Sequence, residues 1–352
     1  QMKYQTALVG DIDTNDKASQ QLIIYPENDT RTDNATHVLT LQMGVTTGNP
    51  NDGNKPTVVS GFLIAAGSAS GEITSPEGKG GGIYVVNNSN DANAGSRYFR
   101  ISQCNFANNY AMRGGAIYVD PSCTNTLSAI SYCSIFNNVA GKRGASDNEG
   151  GGIWIDGTAT VYNSNINNNT NGGIRLSGTS KIINCSVVAN TVSAVDLTAP
   201  GTSVNGGGTV YNTVLWHCTT LCKNDTRPVF RSCAFSEVEP AGGTDANGNV
   251  HISIQNHTTK PAPWFVQSVA TLGYDFSFSS NLKQLINTSF NFEETSALYG
   301  AGNLQYYQDL IEKSTLEATG STDVRGKKRY ESNSIDIGAY EYERLNAGRI
   351  RY

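Results

Sequence analysis

The chain has 352 residues, a formal net charge of −5, only 16% charged residues and 37 glycines. That composition describes a β-rich, turn-rich polypeptide, and its single short basic run, Lys327-Lys328-Arg329, does not make the basic surface a nucleic-acid binder needs. No stretch has the apolar length of a membrane span, and residues 1–12 lack the hydrophobic centre of a signal peptide, so a soluble, mature or trimmed piece is expected.

In chain order, Leu8-Val-Gly-Asp-Ile-Asp13 resembles a corner with no opening strand before it. The chain is therefore expected to begin part-way through a coil, an amino-terminal cap having been lost or cleaved, because a bare solenoid end invites edge pairing. His37-Val-Leu-Thr-Leu41 and Val59-Ser-Gly-Phe-Leu-Ile64 start a pattern that then repeats. Gly80-Gly-Gly-Ile-Tyr-Val85 returns as Gly114-Gly-Ala-Ile-Tyr-Val119 and Gly151-Gly-Ile-Trp-Ile155, and then degrades to Gly172-Gly-Ile-Arg-Leu176 and Ala194-Val-Asp-Leu197. A second phrase follows each first one: Ile101–Phe106, Ile130–Ile135, Val161–Ile166 and Ile182–Val187. Self-similarity at a period of 20–50 residues marks a solenoid.

Ile153, Ile174 and Val195 are 21 residues apart (174 − 153 and 195 − 174). A 21-residue turn holding three short strands is the unit of a right-handed parallel β-helix. Alternation along a strand points Ile153 and Ile155 inward and Trp154 outward. Stacking then predicts columns. The corner column is Gln103, Tyr132, Asn163, Asn184, Asn212 and Ser232, followed by a small inward column of Cys104, Cys133, Ser164, Cys185, Thr213 and Cys233. A large apolar column takes Phe106, Ile135, Ile166, Val187, Leu215 and Phe235, and a run of asparagines takes Asn109, Asn138, Asn169 and Asn190. Asn tolerates left-handed backbone at a sharp corner, and stacked amides bond up and down the ladder.

Four of the seven cysteines thus fall in one column as buried thiols, which is not the framework of a small disulfide-rich domain. Cys218 and Cys222 are either a pair or free. After Phe235 the repeat fades. Pro261–Val266 and Tyr274–Phe278 read as irregular last coils. Leu304, Tyr307, Leu310 and Ile311 recur at helical spacing, predicting a short amphipathic helix over 303–317, stopped by Gly320, that covers the open carboxy-terminal end of the core. The expected fold is all-β, a right-handed parallel β-helix with irregular C-terminal coils and a short capping helix. Coils occupy 1–240, and terminal coils with a cap occupy 241–352.

These residues resemble known groups. Gly114-Gly-Ala-Ile117 with Phe106-Ala-Asn-Asn109 is similar to the repeats of polymorphic outer membrane proteins. The tail, Thr322-Asp-Val-Arg-Gly326, Arg329 and Ile335-Asp-Ile-Gly-Ala-Tyr-Glu-Tyr342, together with Val59–Phe62 and Gly80–Tyr84, resembles the choice-of-anchor Q family of bacterial right-handed β-helix proteins, frequent in Bacteroidetes. The resemblance spans nearly the whole chain. It implies an exported protein, secreted or associated with the bacterial outer surface, and it brings no catalytic motif with it.

Function on such a stack belongs to the outward side chains of the first sheet. One outward column reads Tyr84, Tyr118, Trp154, Arg175, Asp196, and the next reads Val86, Asp120, Asp156, Ser177, Thr198. Three aromatics one strand spacing apart make a strip some ~10 Å long on which a sugar's C–H face can lie, with Arg and carboxylates bonding its hydroxyls. Loops 86–98, 120–129 and 139–150 wall it. The plain alternative is that aromatic residues favour sheet surfaces in any case. The first hypothesis is an adhesin or carbohydrate-binding module without catalysis or cofactor, a monomer whose partner is a glycan or a host or neighbour-cell surface component. In that reading Trp154→Ala weakens binding and leaves the thermal transition nearly unchanged.

The second hypothesis is a polysaccharide lyase or glycoside hydrolase using Asp120, Asp156 and Arg143. Adjacent coils bring the two carboxyls to the ~5–5.5 Å spacing of retaining hydrolysis, but none of the polygalacturonase signatures is present, and fold analogy carries no activity. The third is a structural spacer, expected if the strip is occluded. Asp11-Ile-Asp13 with Asn15 starts like a calcium loop but lacks its Gly and Glu. His37, His217, His251 and His257 are scattered, and His217-Cys218 with Cys222 has too few partners for zinc.

Overall fold

The computed structural model describes residues 6–13, 31, 33–44, 55–87, 97–141, 150–188, 190, 204–216, 228–237, 247–253, 298–313, 322–331 and 334–341. Its strands stack into parallel sheets, and the architecture is a parallel β-helix. Sheet 1 runs through Leu39–Met43, Ile83–Asn87, Ile117–Val119, Ile153–Ile155, Ile174–Leu176 and Val204–Gly206. Sheet 2 runs through Thr57–Ser60, Phe99–Ser102, Ala129–Ser131, Thr160–Tyr162, Lys181–Ile183, Thr209–Tyr211 and Val229–Arg231. Sheet 3 has nine strands, from Thr6–Val9 and Phe62–Ala65 through Asn105–Ala107, Ser134–Phe136, Asn165–Asn167, Ser186–Val188, Val214–Trp216 and Ala234–Glu237 to Val250–Ser253. A short fourth sheet joins Ser68–Ala69, Tyr110–Ala111 and Val139–Ala140.

The registers follow the columns. Ile83, Ile117, Ile153 and Ile174 are successive partners, as are Phe106, Ile135, Ile166, Val187 and Leu215. Val59 pairs with Ile101 and Ile64 with Phe106. Leu8 falls opposite Ile64, so Thr6–Val9 is a paired strand where the sequence suggested only a corner. Past residue 240 the stack continues through Val250–Ser253. The inward residues form one continuous core that includes Ile117, Ile135, Ile153, Ile155, Val161 and Ile166 and the thiols Cys104, Cys133 and Cys185. A coil alone exposes this stripe and both strand edges, so each coil is stabilised only by its neighbours.

Corners are made by residues in left-handed backbone. Gln103, Tyr132, Asn163, Asn184, Asn212 and Ser232 have φ between 44° and 54°. A second left-handed column, Ala66, Asn108, Asn137 and Asn168, precedes the asparagine run. In that run Asn109 Nδ2 donates to Asn138 Oδ1 at 2.9 Å, Asn138 Nδ2 to Asn169 Oδ1 at 3.0 Å and Asn169 Nδ2 to Asn190 Oδ1 at 3.0 Å. Each acceptor oxygen also takes the backbone N–H of the asparagine before it. The ladder therefore satisfies polar groups that a dry core would otherwise leave unpaired.

Two expectations are corrected. The strand after Ile174–Leu176 is Val204–Gly206, which pairs Ile174 with Val204 and Arg175 with Asn205. Val195 and Asp196, expected there from the 21-residue spacing, lie outside the described residues. Periodicity alone cannot choose between the two segments. The glycine run decides it, because Gly206 and Gly208 take φ of 87° and 88° and turn the chain directly into Thr209–Tyr211.

The second correction concerns the short helix, Leu304–Tyr307 continuing in wider turns to Glu312. Among the described residues it lies along the flank of the stack rather than across its end. Tyr307 and Ile311 pack with Ala129, Tyr162 and Ile183 on the outer face of sheet 2. The 334–341 segment runs from that face over the corner between sheets 2 and 3: Ile335 packs with the sheet 2 residues, Gly338 N donates to Asn212 O at 2.9 Å and Ala339 N to Ser186 Oγ at 3.0 Å. Gly338 has φ 110°, a backbone conformation that favours glycine. Outward corner asparagines hold this strap. Asn163 Nδ2 donates to Tyr307 Oη at 2.8 Å, Asn184 Nδ2 to Asp336 O at 3.1 Å, and Asn212 Nδ2 to Asn303 O at 2.9 Å.

Candidate functional site

Tyr84, Tyr118 and Trp154 are consecutive partners across sheet 1, and their side chains form one outward cluster with Val86. Ring centroids are 5.8 Å apart for Tyr84–Tyr118 and 6.5 Å for Tyr118–Trp154, and His37 stacks on Tyr84 at 5.3 Å. The strip predicted from the repeat is therefore continuous. It is also buried: Tyr84 is 7% exposed, Tyr118 1% and Trp154 2%.

Polar atoms at the ring edges are taken up by the next column. Tyr84 Oη donates to Asp120 Oδ2 at 3.0 Å, Tyr118 Oη to Asp156 Oδ2 at 2.5 Å, and Trp154 Nε1 to Asp156 Oδ1 at 2.6 Å. Asp120 Oδ1 also accepts from Ser122 N and Oγ at 3.0 and 2.8 Å. Burial pushes both phenols up, and the neighbouring carboxylates push them further, so both tyrosines stay protonated donors. The carboxylates that sequence reasoning set beside the strip thus act on the strip itself, orienting its rings.

Ring faces are met by cations. Lys79 Nζ lies 5.0 Å from the Tyr118 centroid, while the Arg113 and Arg175 guanidinium carbons lie 4.5 and 4.2 Å from that of Trp154. Such contacts contribute about 0.5–2 kcal/mol each, more as they are desolvated. Lys79 and Arg113 were not anticipated, although a signal was present. Each immediately precedes a glycine run at the same distance from Ile83 or Ile117, and a parallel bridge joins them across adjacent coils.

The remaining expectations sort as follows. Asp120 and Asp156 occupy adjacent coils one residue past the paired Val119 and Ile155. Arg175 follows Trp154 in its column. Asp196, Arg143 and Asn15 lie outside the described residues, as do the 142–149 loop, Cys218 and Cys222. Asp13 N donates to Asp33 Oδ2 at 2.9 Å. Among the described residues no group of three or more His, Cys, Asp or Glu gathers as a metal site. Cys123, beneath Asp120, donates to Val85 O, and burial with the Asp120 charge pushes its thiol up to about 12, so it is a poor nucleophile.

The burial of Trp154 revises one expectation outright. Replacing it with Ala removes a packed indole, at about 3–5 kcal/mol, so the thermal transition must fall rather than stay level.

Neither a protein-family model nor a curated protein matches the chain.

Proposed function

We propose that the chain is the stacked-coil part of an exported bacterial surface protein of the choice-of-anchor Q type, and that it acts without catalysis as a carbohydrate-recognising adhesin on the outer face of sheet 1. The observation that supports this reading is the file of Tyr84, Tyr118, Trp154 and Arg175 on adjacent strands, bordered by Asp120 and Asp156 and overlaid by cations. Its cations supply polar contacts of the kind that sugars use. Among the described residues the strap packs on sheet 2 and does not join the sheet 1 cluster. Commitment of both carboxylates to ring donors argues against the alternative of a lyase or hydrolase that would need them free.

The near-complete burial of the three rings favours a second reading, a structural spacer in which the strip is an internal spine. A glycan array decides between them: reproducible binding to a sugar class supports the adhesin, and silence across the array removes it and leaves the spacer. Release of 235 nm absorbance or reducing sugar from an acidic polysaccharide panel would overturn the non-catalytic assignment.

A further inference from the structure

We propose that the sheet 1 site recognises an acidic glycan, its uronate or sulfate groups held by Lys79 and Arg175; this rests on the carbohydrate-binding reading above and names its ligand class. Neither Lys79 nor Arg175 forms an ion pair with a carboxylate of the described residues, unlike Lys313 with Asp309 and Arg325 with Asp323. Each instead rests against an aromatic ring. A cation over a ring keeps its full charge, and a guanidinium laid over an indole still directs N–H donors outward in the fork that matches a carboxylate. All three cations are half-buried.

The cationic heads are clustered. Lys79 Nζ lies over Tyr118 and the Arg113 and Arg175 guanidinium groups both lie over Trp154, whose ring centroid is 6.5 Å from that of Tyr118. Linked acidic sugars present anionic groups on neighbouring units and suit such a cluster. The carboxylates at the same strip, Asp120 and Asp156, accept from Tyr84, Ser122, Tyr118 and Trp154 and hold the rings on which the cations rest. A nucleic-acid polyanion is distinguished from an acidic glycan by the DNA arm of the test.

The test is titration calorimetry of the whole chain with oligogalacturonate, its fully methyl-esterified form, dextran sulfate and a single-stranded DNA oligonucleotide. The acid form or the sulfated glycan is expected to bind, with affinity falling as salt rises, and the ester and DNA to remain silent. Which of the two acidic glycans binds identifies the anionic group. Lys79→Gln and Arg175→Gln should each weaken binding roughly tenfold while circular dichroism retains the β spectrum. Equal binding of the ester, equal binding of DNA, or undiminished binding by both variants overturns the acidic-ligand assignment and leaves the adhesin reading standing. Failure of every glycan here and on the array overturns both.

Discussion

At the scale of single residues, the fold depends on side chains whose value comes from repetition. Asn138 accepts from Asn109 through its Oδ1, and its Nδ2 donates to Asn169, Phe106 O and Phe136 O. Removing one rung leaves buried donors and acceptors without partners, each worth about 1–3 kcal/mol. Asn138→Ala is therefore expected to lose roughly 3 kcal/mol or more in chemical denaturation, whereas a loss below 0.5 kcal/mol, typical of a surface site, would show that the ladder is not a stabilising unit. The ladder was legible in the sequence because identical residues recur at matching offsets within successive phrases. The opposite holds for Trp154. Alternation along Ile153–Ile155 tells which face the indole is on, but nothing local tells whether that face is covered. The ring is met by Arg113 and Arg175, which are distant in sequence and adjacent only after coiling.

At the scale of elements, the strap of residues 298–341 is where local reading was weakest. Helical spacing at Leu304, Tyr307, Leu310 and Ile311 located the helix, and the apolar face it implied does meet apolar partners. Which surface it meets was set by the corner asparagines and outward aromatics of four coils, which no local pattern links to the tail. The ends of the strap are locked by buried charge. Asp323, fully buried, accepts from Arg325 N, Arg325 Nε, Lys327 N and Glu341 N. Asp323→Ala strips all four donors of their acceptor and is expected to cost about 3–5 kcal/mol, detected as proteolytic release of the strap before the coils are cut. Simultaneous cleavage throughout would contradict a separable strap.

Glu341 makes the same element sensitive to pH. Burial pushes its carboxyl up to about 9, against the pull of Arg329, whose Nε lies 3.3 Å away. A carboxyl raised from 4.5 on folding binds a proton that the unfolded chain has already lost. Its contribution is complete below pH 4.5 and is lost as pH climbs through about 9. Glu341→Gln should flatten that alkaline decline in a series of thermal melts, and an unchanged slope would rule Glu341 out as its source.

At the scale of the whole molecule, stability accrues through contacts between neighbouring coils. Interior strands such as Ile130 on sheet 2 and Ile153 on sheet 1 have partners on both sides, while Thr6–Val9 ends its sheet among the described residues. Native-state hydrogen exchange should then show protection greatest in the coils of Ile130, Ile153 and Ile166 and falling steadily toward Thr6–Val9. Uniform protection from end to end would mean global, not coil-by-coil, unfolding.

The order of residues by itself determined that this chain coils in parallel, because inward–outward alternation, glycine runs and left-handed asparagines are local demands that every turn repeats. It also determined which columns are dry, since Cys104, Cys133 and Cys185 can share a line only if the turns are in register. Only the tertiary structure decided that Lys79, Arg113 and Arg175 lie against the aromatic file, that Asn205 adjoins Arg175, and that the tail clasps a flank. Those outcomes arise from groups far apart in the chain competing for one surface. Desolvation and hydrogen-bond satisfaction settle that competition after the coils have assembled.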